Sequence, residues 1–139
     1  FSQPWEGKTV AVLDGDTIEV LKEGKAIRIR LAGIDCPEKQ QDFGQAAKRF
    51  CSALTFGKTV KVISTGIDRY GRTIADVYVD EVWVNKKLVE EGLAWHYKKY
   101  SSSEELAEAE TKARDEKIGL WKRKTEKRIA PWDFRKTEK

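Results

Sequence analysis

Asp16, Asp35 and Glu38 are the acids whose placement invites chemistry, and Arg30 and Arg72 are the cations that would complete it. A tight turn, Leu13-Asp14-Gly15-Asp16-Thr17, presents Asp16. Asp35 comes at the end of a strand-like stretch, Arg28-Ile29-Arg30-Leu31-Ala32-Gly33-Ile34-Asp35-Cys36-Pro37-Glu38. Hard cations such as Ca²⁺ take carboxylate and carbonyl oxygens, and keep positions for water or phosphate where a protein supplies few ligands. Two Asp plus one backbone carbonyl would make such an open site. Taken alone, Asp-Gly-Asp is ordinarily a turn whose carboxylates bond backbone amides, so its meaning depends on its partners. Pro37 stiffens the bend that carries Glu38, three residues past Asp35, within reach of a water it could orient or deprotonate as general base. Arg30 and Arg72 carry guanidiniums that can each hold two phosphate oxygens and offset charge that grows on them during displacement. Arg28 shares the strand face of Arg30, and spacing alone does not choose between them.

A second cluster, Asp68-Arg69-Tyr70-Gly71-Arg72, sets an aromatic ring between two cations on a turn. Bases stack on tyrosine while cations hold phosphates, the pairing that single-strand binders use. Lys98, Lys99 and Tyr100 offer a further basic and aromatic patch. His96, the single histidine, excludes a histidine-based metal cage and reads as structural. No serine or cysteine nucleophile elbow is present. Trp83, Trp95 and Trp121 are expected in the core, with Trp5 and Trp132 pinning the termini.

The elements that must position these residues are short and alternate in polarity. Thr9 to Leu13, Thr17 to Leu21, Ile27 to Ala32, Thr59 to Ile63 and Thr73 to Val79 read as five strands, with Gly-containing turns between them. Phe43, Ala46, Ala47, Phe50, Cys51 and Leu54 follow helical spacing, with Gly57 suited to the C′ position. Asn85 is the expected cap of a short helix ending at Gly92, and Ser102 with Glu105 reads as the capping box of a third. The fold class is therefore α+β: a five-stranded Greek-key barrel of the oligonucleotide-binding (OB) type with about three α-helices. Residues 1–121 are expected to form this domain, and the basic tail 122–139 to pack on it through Ile129, Pro131, Trp132 and Phe134.

At 139 residues one domain with one core is expected. No apolar run approaches the roughly 20 residues a membrane-spanning helix needs. Residues 122–139 hold 8 Lys+Arg against 3 Asp+Glu, whereas the first 121 hold 19 against 20. The basic pI therefore belongs to the tail, and a bare charge run does not establish nucleic-acid binding. Cys36 and Cys51 suit a disulfide or two buried thiols, and no Cys/His spacing supports zinc. The chain begins at Phe1 with no visible signal peptide, as a trimmed mature form would.

Four motifs in register, Asp14-Gly15-Asp16-Thr17, Arg30 to Glu38, Asp68 to Arg72 and Gly119-Leu120-Trp121, closely resemble the staphylococcal nuclease (thermonuclease) family over about Lys8 to Trp121. The resemblance implies an OB-fold enzyme, acting as a monomer, that cleaves DNA and RNA phosphodiesters with Ca²⁺ and little sequence preference, leaving 3′-phosphate ends. It implies that Asp16, Asp35 and the Cys36 carbonyl bind the metal, that Arg30 and Arg72 clamp phosphate, and that Glu38 is the base. It places Arg69, Tyr70, Lys98 and Tyr100 around the nucleotide. Lys98 stands where the family's best-known member has tyrosine, and Cys36 where it has threonine; a backbone ligand tolerates the second change. A calcium nuclease suits a secreted or periplasmic setting. The rival class is a non-catalytic OB module that binds nucleic acid or protein; such domains typically lack part of the acid and arginine set.

Overall fold

The structure is a computed structural model that describes residues 3–137. In chain order the elements are β1 (Trp5–Asp14), β2 (Thr17–Lys22), β3 (Lys25–Leu31), β4 (Ile34–Asp35), α1 (Gly44–Thr55), β5 (Thr59–Ile67), β6 (Thr73–Val79), β7 (Val82–Trp83), α2 (Val84–Glu90), β8 (Trp95–His96), α3 (Glu104–Asp115) and α4 (Pro131–Thr137). Short 3-10 turns lie at Gly119–Lys122 and Thr125–Lys127.

Antiparallel pairing joins β3 to β2, β2 to β1, β1 to β5 and β5 to β6, and a parallel pairing of β3 with β6 closes the ring. That ring is the five-stranded barrel the alternation predicts. Every second residue points inward, so Ile18, Val20, Ile29, Leu31, Val60, Val62, Ala75 and Val77 are buried. Ala47 and Cys51 of α1, Val84, Leu88 and Val89 of α2, and Leu106 and Ala109 of α3 complete one core. Gly57 ends α1 at a φ of 76°, the left-handed conformation that glycine adopts without strain.

Among the described residues there are four α-helices rather than about three, the fourth being α4 in the tail. Asn85 does not cap α2: it is fully buried inside the helix, and Trp83 takes the cap position. Its side chain is committed to the barrel, accepting from the Val77 amide at 3.1 Å and donating to the Ala32 and Ala75 carbonyls at 3.0 and 3.2 Å. Ser103, not Ser102, caps α3 by accepting from the Leu106 amide at 3.2 Å. Starting there leaves both Glu104 and Glu105 in the first turn, where the helix dipole favours them.

Both cysteines are buried free thiols. Trp121 is fully buried, whereas Trp83 and Trp95 pack at the core's margin. The tail folds back on the body, with Ala130 and Pro131 buried. Trp132 stacks on Tyr97 at 5.0 Å between centroids and meets the Trp95 ring edge-on at 5.5 Å. Ile129 does not take part and stays half exposed. Among the described residues no helix is long and apolar enough to cross a membrane.

Candidate active site

Two turns meet at one end of the barrel. The β1–β2 turn carries Asp16, whose carbonyl accepts from the Leu31 amide at 2.9 Å at the end of β3. The chain then turns through Gly33 into β4, where Asp35 pairs with Trp95 of β8. Asp16 Oδ2 accepts the Cys36 amide at 2.7 Å, which ties the two acidic turns together. Glycine is required where these turns touch the helix beneath them. A Cβ on Gly15 would lie 2.7 Å from the Ala47 Cβ and 2.9 Å from the Cys36 Sγ. One on Gly44 would lie 1.8 Å from the Glu38 carbonyl oxygen.

Arg30 joins the acids from within. Its Nη1 donates to the Leu31 and Ile34 carbonyls, both at 2.9 Å, and its Nη2 lies 3.2 Å from Asp35 Oδ1 and 3.4 Å from Asp16 Oδ2. Burial alone would weaken the hold of this guanidinium on its proton, but the Asp16 and Asp35 charges outweigh it and raise its pKa above the usual arginine range. Register separates it from Arg28. The β2–β3 pairing sets Glu19 opposite Arg28, and the two form an exposed ion pair at 2.9 Å, while Arg30 stands opposite Thr17 beside Asp16.

Asp35 is 1% exposed, and burial pushes its carboxyl up to about 6, against the pull of Arg135 and Arg30 and with the push of Asp16. Glu38 is one-third exposed and turns toward the same place. Between them lies a residue that the spacing of the sequence motifs does not indicate. Arg135 of α4 donates from Nη2 to Asp35 Oδ2 at 2.7 Å, and from Nη1 to Asp35 Oδ1 at 3.1 Å and Glu38 Oε2 at 2.8 Å. Its only signal in the sequence is faint: an arginine one helical turn after the Pro131-Trp132 anchor.

The second cluster forms as a turn at the head of β6. Asp68 Oδ1 accepts the Tyr70 and Arg72 amides, both at 2.9 Å, and Oδ2 accepts Arg72 Nε at 2.7 Å. Tyr70 is 69% exposed, with the Arg69 and Arg72 guanidiniums 5.1 and 5.6 Å from its ring centroid. The parallel pairing puts Ile29 beside Thr73 and Arg30 beside Ile74, so the turn that carries Arg72 adjoins β3 next to Arg30. Among the described residues no direct bond joins Arg72 to the acids.

Tyr100 is equally exposed, with Lys99 over its ring at 5.5 Å and Tyr97 edge-on at 4.9 Å. Lys98 is directed elsewhere, 3.8 Å from the buried Glu110 of α3. The structure thus gathers Asp16, Arg30, Asp35, Cys36 and Glu38 at one place. It sets Arg69, Tyr70 and Arg72 on an adjoining turn, and leaves Lys98 and Tyr100 in a separate loop. His96 is structural: its Nε2 pairs with Ser101 Oγ at 3.0 Å and its amide donates to Glu110 at 2.7 Å.

The acidic end offers two carboxylates as candidate ligands of a divalent cation. Asp16 and Asp35 each place an oxygen within 3.4 Å of the same Arg30 nitrogen, so their carboxylates converge. Among the described residues no three His, Cys, Asp or Glu side chains form a closed cage. A cation held by two carboxylates and a carbonyl would keep positions for water and phosphate.

Comparison with known proteins gives the family of the chain. Residues 28–123 match the family described as Staphylococcal nuclease homologue, a span that includes Arg30, Asp35, Glu38 and the Asp68–Arg72 turn. An "Uncharacterized endonuclease" of Escherichia coli O157:H7 is 44% identical over 130 residues, covering 93% of this chain and 84% of the relative. A "Micrococcal nuclease" of Shigella flexneri is 38% identical over 146 residues, covering 97% and 83%. A "Staphylococcal-like nuclease" of Arabidopsis thaliana is 38% identical over 115 residues, 83% of this chain but 35% of that longer protein. With barrel, acidic end and sequence in agreement, the chain belongs to the staphylococcal nuclease family.

Proposed function

We propose that this chain is a Ca²⁺-dependent nuclease that hydrolyses phosphodiester bonds of DNA and RNA with little sequence specificity. The observation that carries the reading is the convergence of Asp16 and Asp35 on Arg30, with Glu38 three residues away on the same rim. Asp16, Asp35 and the Cys36 carbonyl would hold the cation. When bound, Ca²⁺ supplies Lewis-acid charge and a template for the phosphate.

The chain's own residues do the rest. Glu38 accepts a proton from the attacking water. Arg72, whose Nη groups are not engaged by Asp68, is available to a phosphate oxygen pair. Arg30 holds the two aspartates together and adds positive charge beneath them. Tyr70, exposed between two guanidiniums, offers a face for a base. Departure of the 5′ oxygen would leave 3′-phosphate ends. A compartment rich in free calcium, outside the cytosol, suits this chemistry.

Cleavage of fluorescently labelled single-stranded DNA and RNA, with Ca²⁺ and with excess chelator, tests the reading. Calcium-dependent cutting is expected, and Glu38→Ala or Arg72→Ala should lower it about 10²-fold or more. Tight binding without cutting under any metal would overturn it in favour of a binding module.

A further inference from the structure

Arg135 lies 100 residues beyond Asp35 and 97 beyond Glu38 in the chain, yet its guanidinium makes three hydrogen bonds to their carboxylates. The cation and phosphate roles assigned above do not include it. Asp35 is walled in by it: Oδ1 is shared between Arg30 and Arg135, and Oδ2 is taken by Arg135 alone. Asp35 is 1% exposed and the Arg135 side chain 38%, so the guanidinium is the solvent-facing member of the pair.

A divalent cation needs the same oxygen lone pairs. With Arg135 on both Asp35 oxygens and on Glu38 Oε2, fewer lone pairs are left for it, and its charge repels a guanidinium held that close. Each therefore weakens the hold of the other. The tail is built to hold Arg135 in place and to release it. Trp132 stacks on Tyr97 and meets Trp95, and Arg128 donates to the Trp121 and Arg123 carbonyls, which orients the approach to α4. Yet α4 has only seven residues, too few to persist without its side-chain contacts. A cavity of about 240 Å³, lined in part by Pro37, Phe43, Trp95 and Phe134, lies between tail and body.

We propose that the C-terminal helix is a gate on the acidic site, with Arg135 and a divalent cation competing for Asp35 and Glu38. This rests on the calcium reading above. Because coupling is reciprocal, whatever Arg135 costs the cation, the cation costs the docking of α4.

Calorimetric Ca²⁺ titration of the full chain and of Arg135→Gln, Trp132→Ala and Asp35→Asn tests it. Arg135→Gln removes the competitor and Trp132→Ala loosens its anchor, so both should bind Ca²⁺ about tenfold tighter than the parent chain. Asp35→Asn should lose binding. Near-UV circular dichroism reports whether Arg135→Gln keeps the Trp132–Tyr97 stack and hence its fold. Hydrogen exchange of residues 131–137 should quicken in saturating Ca²⁺ for the parent chain and not for Asp35→Asn. Equal or weaker Ca²⁺ affinity in Arg135→Gln overturns the gate while leaving the calcium site standing. The gate falls equally if that variant instead loses affinity for a nucleoside 3′,5′-bisphosphate, which would make Arg135 a substrate ligand. Absence of Ca²⁺ binding in every protein would overturn the calcium reading and the gate with it.

Discussion

Replacing Asp68 by alanine should lower cleavage without unfolding the chain, because Asp68 aims Arg72. Its carboxylate accepts three hydrogen bonds: the Tyr70 and Arg72 amides and Arg72 Nε. Burial pushes the Asp68 carboxyl up, but the Arg72 amide and guanidinium and the Tyr70 amide outweigh it and hold it below the usual carboxylate range. Two backbone bonds survive the substitution, Gly71 N–H to the Asp68 carbonyl at 3.1 Å and Asp68 N–H to the Arg72 carbonyl at 2.9 Å. The turn should therefore persist while the Arg72 side chain loses its anchor.

A charge-assisted hydrogen bond contributes about 1.5–3 kcal/mol where it is shielded from water. The Arg72 and Asp68 side chains are 29% and 17% exposed. Discounted for that exposure, the orienting contribution is about 1–2 kcal/mol, or a fall of about 5- to 30-fold in the chemical step. Single-turnover cleavage of labelled single-stranded DNA at saturating Ca²⁺ isolates that step from binding. Asp68→Asn, which keeps an acceptor but not the charge, should fall between alanine and the parent. On an Arg72→Ala background the Asp68 substitution should do almost nothing more, since the side chain it aims is gone. A parent-like rate for Asp68→Ala, or full additivity in the double variant, would mean that Asp68 does not aim Arg72.

Gly44→Ala drives a Cβ to within 1.8 Å of the Glu38 carbonyl oxygen, so the loop must shift, and cleavage should fall at least tenfold in the same assay. Asn85→Ala removes the side-chain partner of the Val77 amide and of the Ala32 carbonyl, while the Ala75 carbonyl keeps the Ala32 amide, and should cost about 2–4 kcal/mol in urea unfolding with no direct effect on the site. Burial pushes the Cys51 thiol up to about 12 and the Cys36 thiol well above its usual range, so neither is a thiolate at pH 8. A disulfide-exchange reagent at that pH should label both only as fast as the chain unfolds, and at full speed in denaturant.

The barrel was legible because its information is local. Alternation at Ile18 and Val20, at Ile29 and Leu31 and at Val60 and Val62 fixes which face is buried, and the turns between strands fix the order. Caps were less legible because Asn and Ser bond backbone wherever they lie. Asn85 satisfies three barrel groups from inside α2, a demand of tertiary packing that resembles a cap in one dimension. Ser101, Ser102 and Ser103 offer three similar caps; Ser101 Oγ is engaged by His96 and the Ser103 amide, and it is Ser103 that accepts the Leu106 amide. Helix α4 has no apolar period to read, and its stability comes from rings far away in the chain.

The same distinction divides the site. Asp16, Asp35 and Glu38 lie on neighbouring turns and Arg30 on the strand that leads into one of them, so spacing made them candidates and the family resemblance gave them roles, whereas Arg135 arrives from the far end of the chain. Choosing Arg30 over Arg28 by geometry needed the register that gives Arg28 to Glu19. That register also gives Arg30 a task distinct from that of Arg72. Its guanidinium meets four oxygens: the Leu31 and Ile34 carbonyls, Asp35 Oδ1 and, at 3.4 Å, Asp16 Oδ2. Lysine has three donors on one nitrogen and cannot span that set. Arg30→Lys should therefore lose stability as well as activity, about 1–3 kcal/mol in urea unfolding, because at least one buried carbonyl loses its donor while Asp35 keeps Arg135 and Asp16 keeps the Cys36 amide. Arg72→Lys, on an exposed turn, should lose activity alone. Equal stability of the two variants would mean that Arg30 contributes only charge, and that the convergence of Asp16 and Asp35 is set by the backbone.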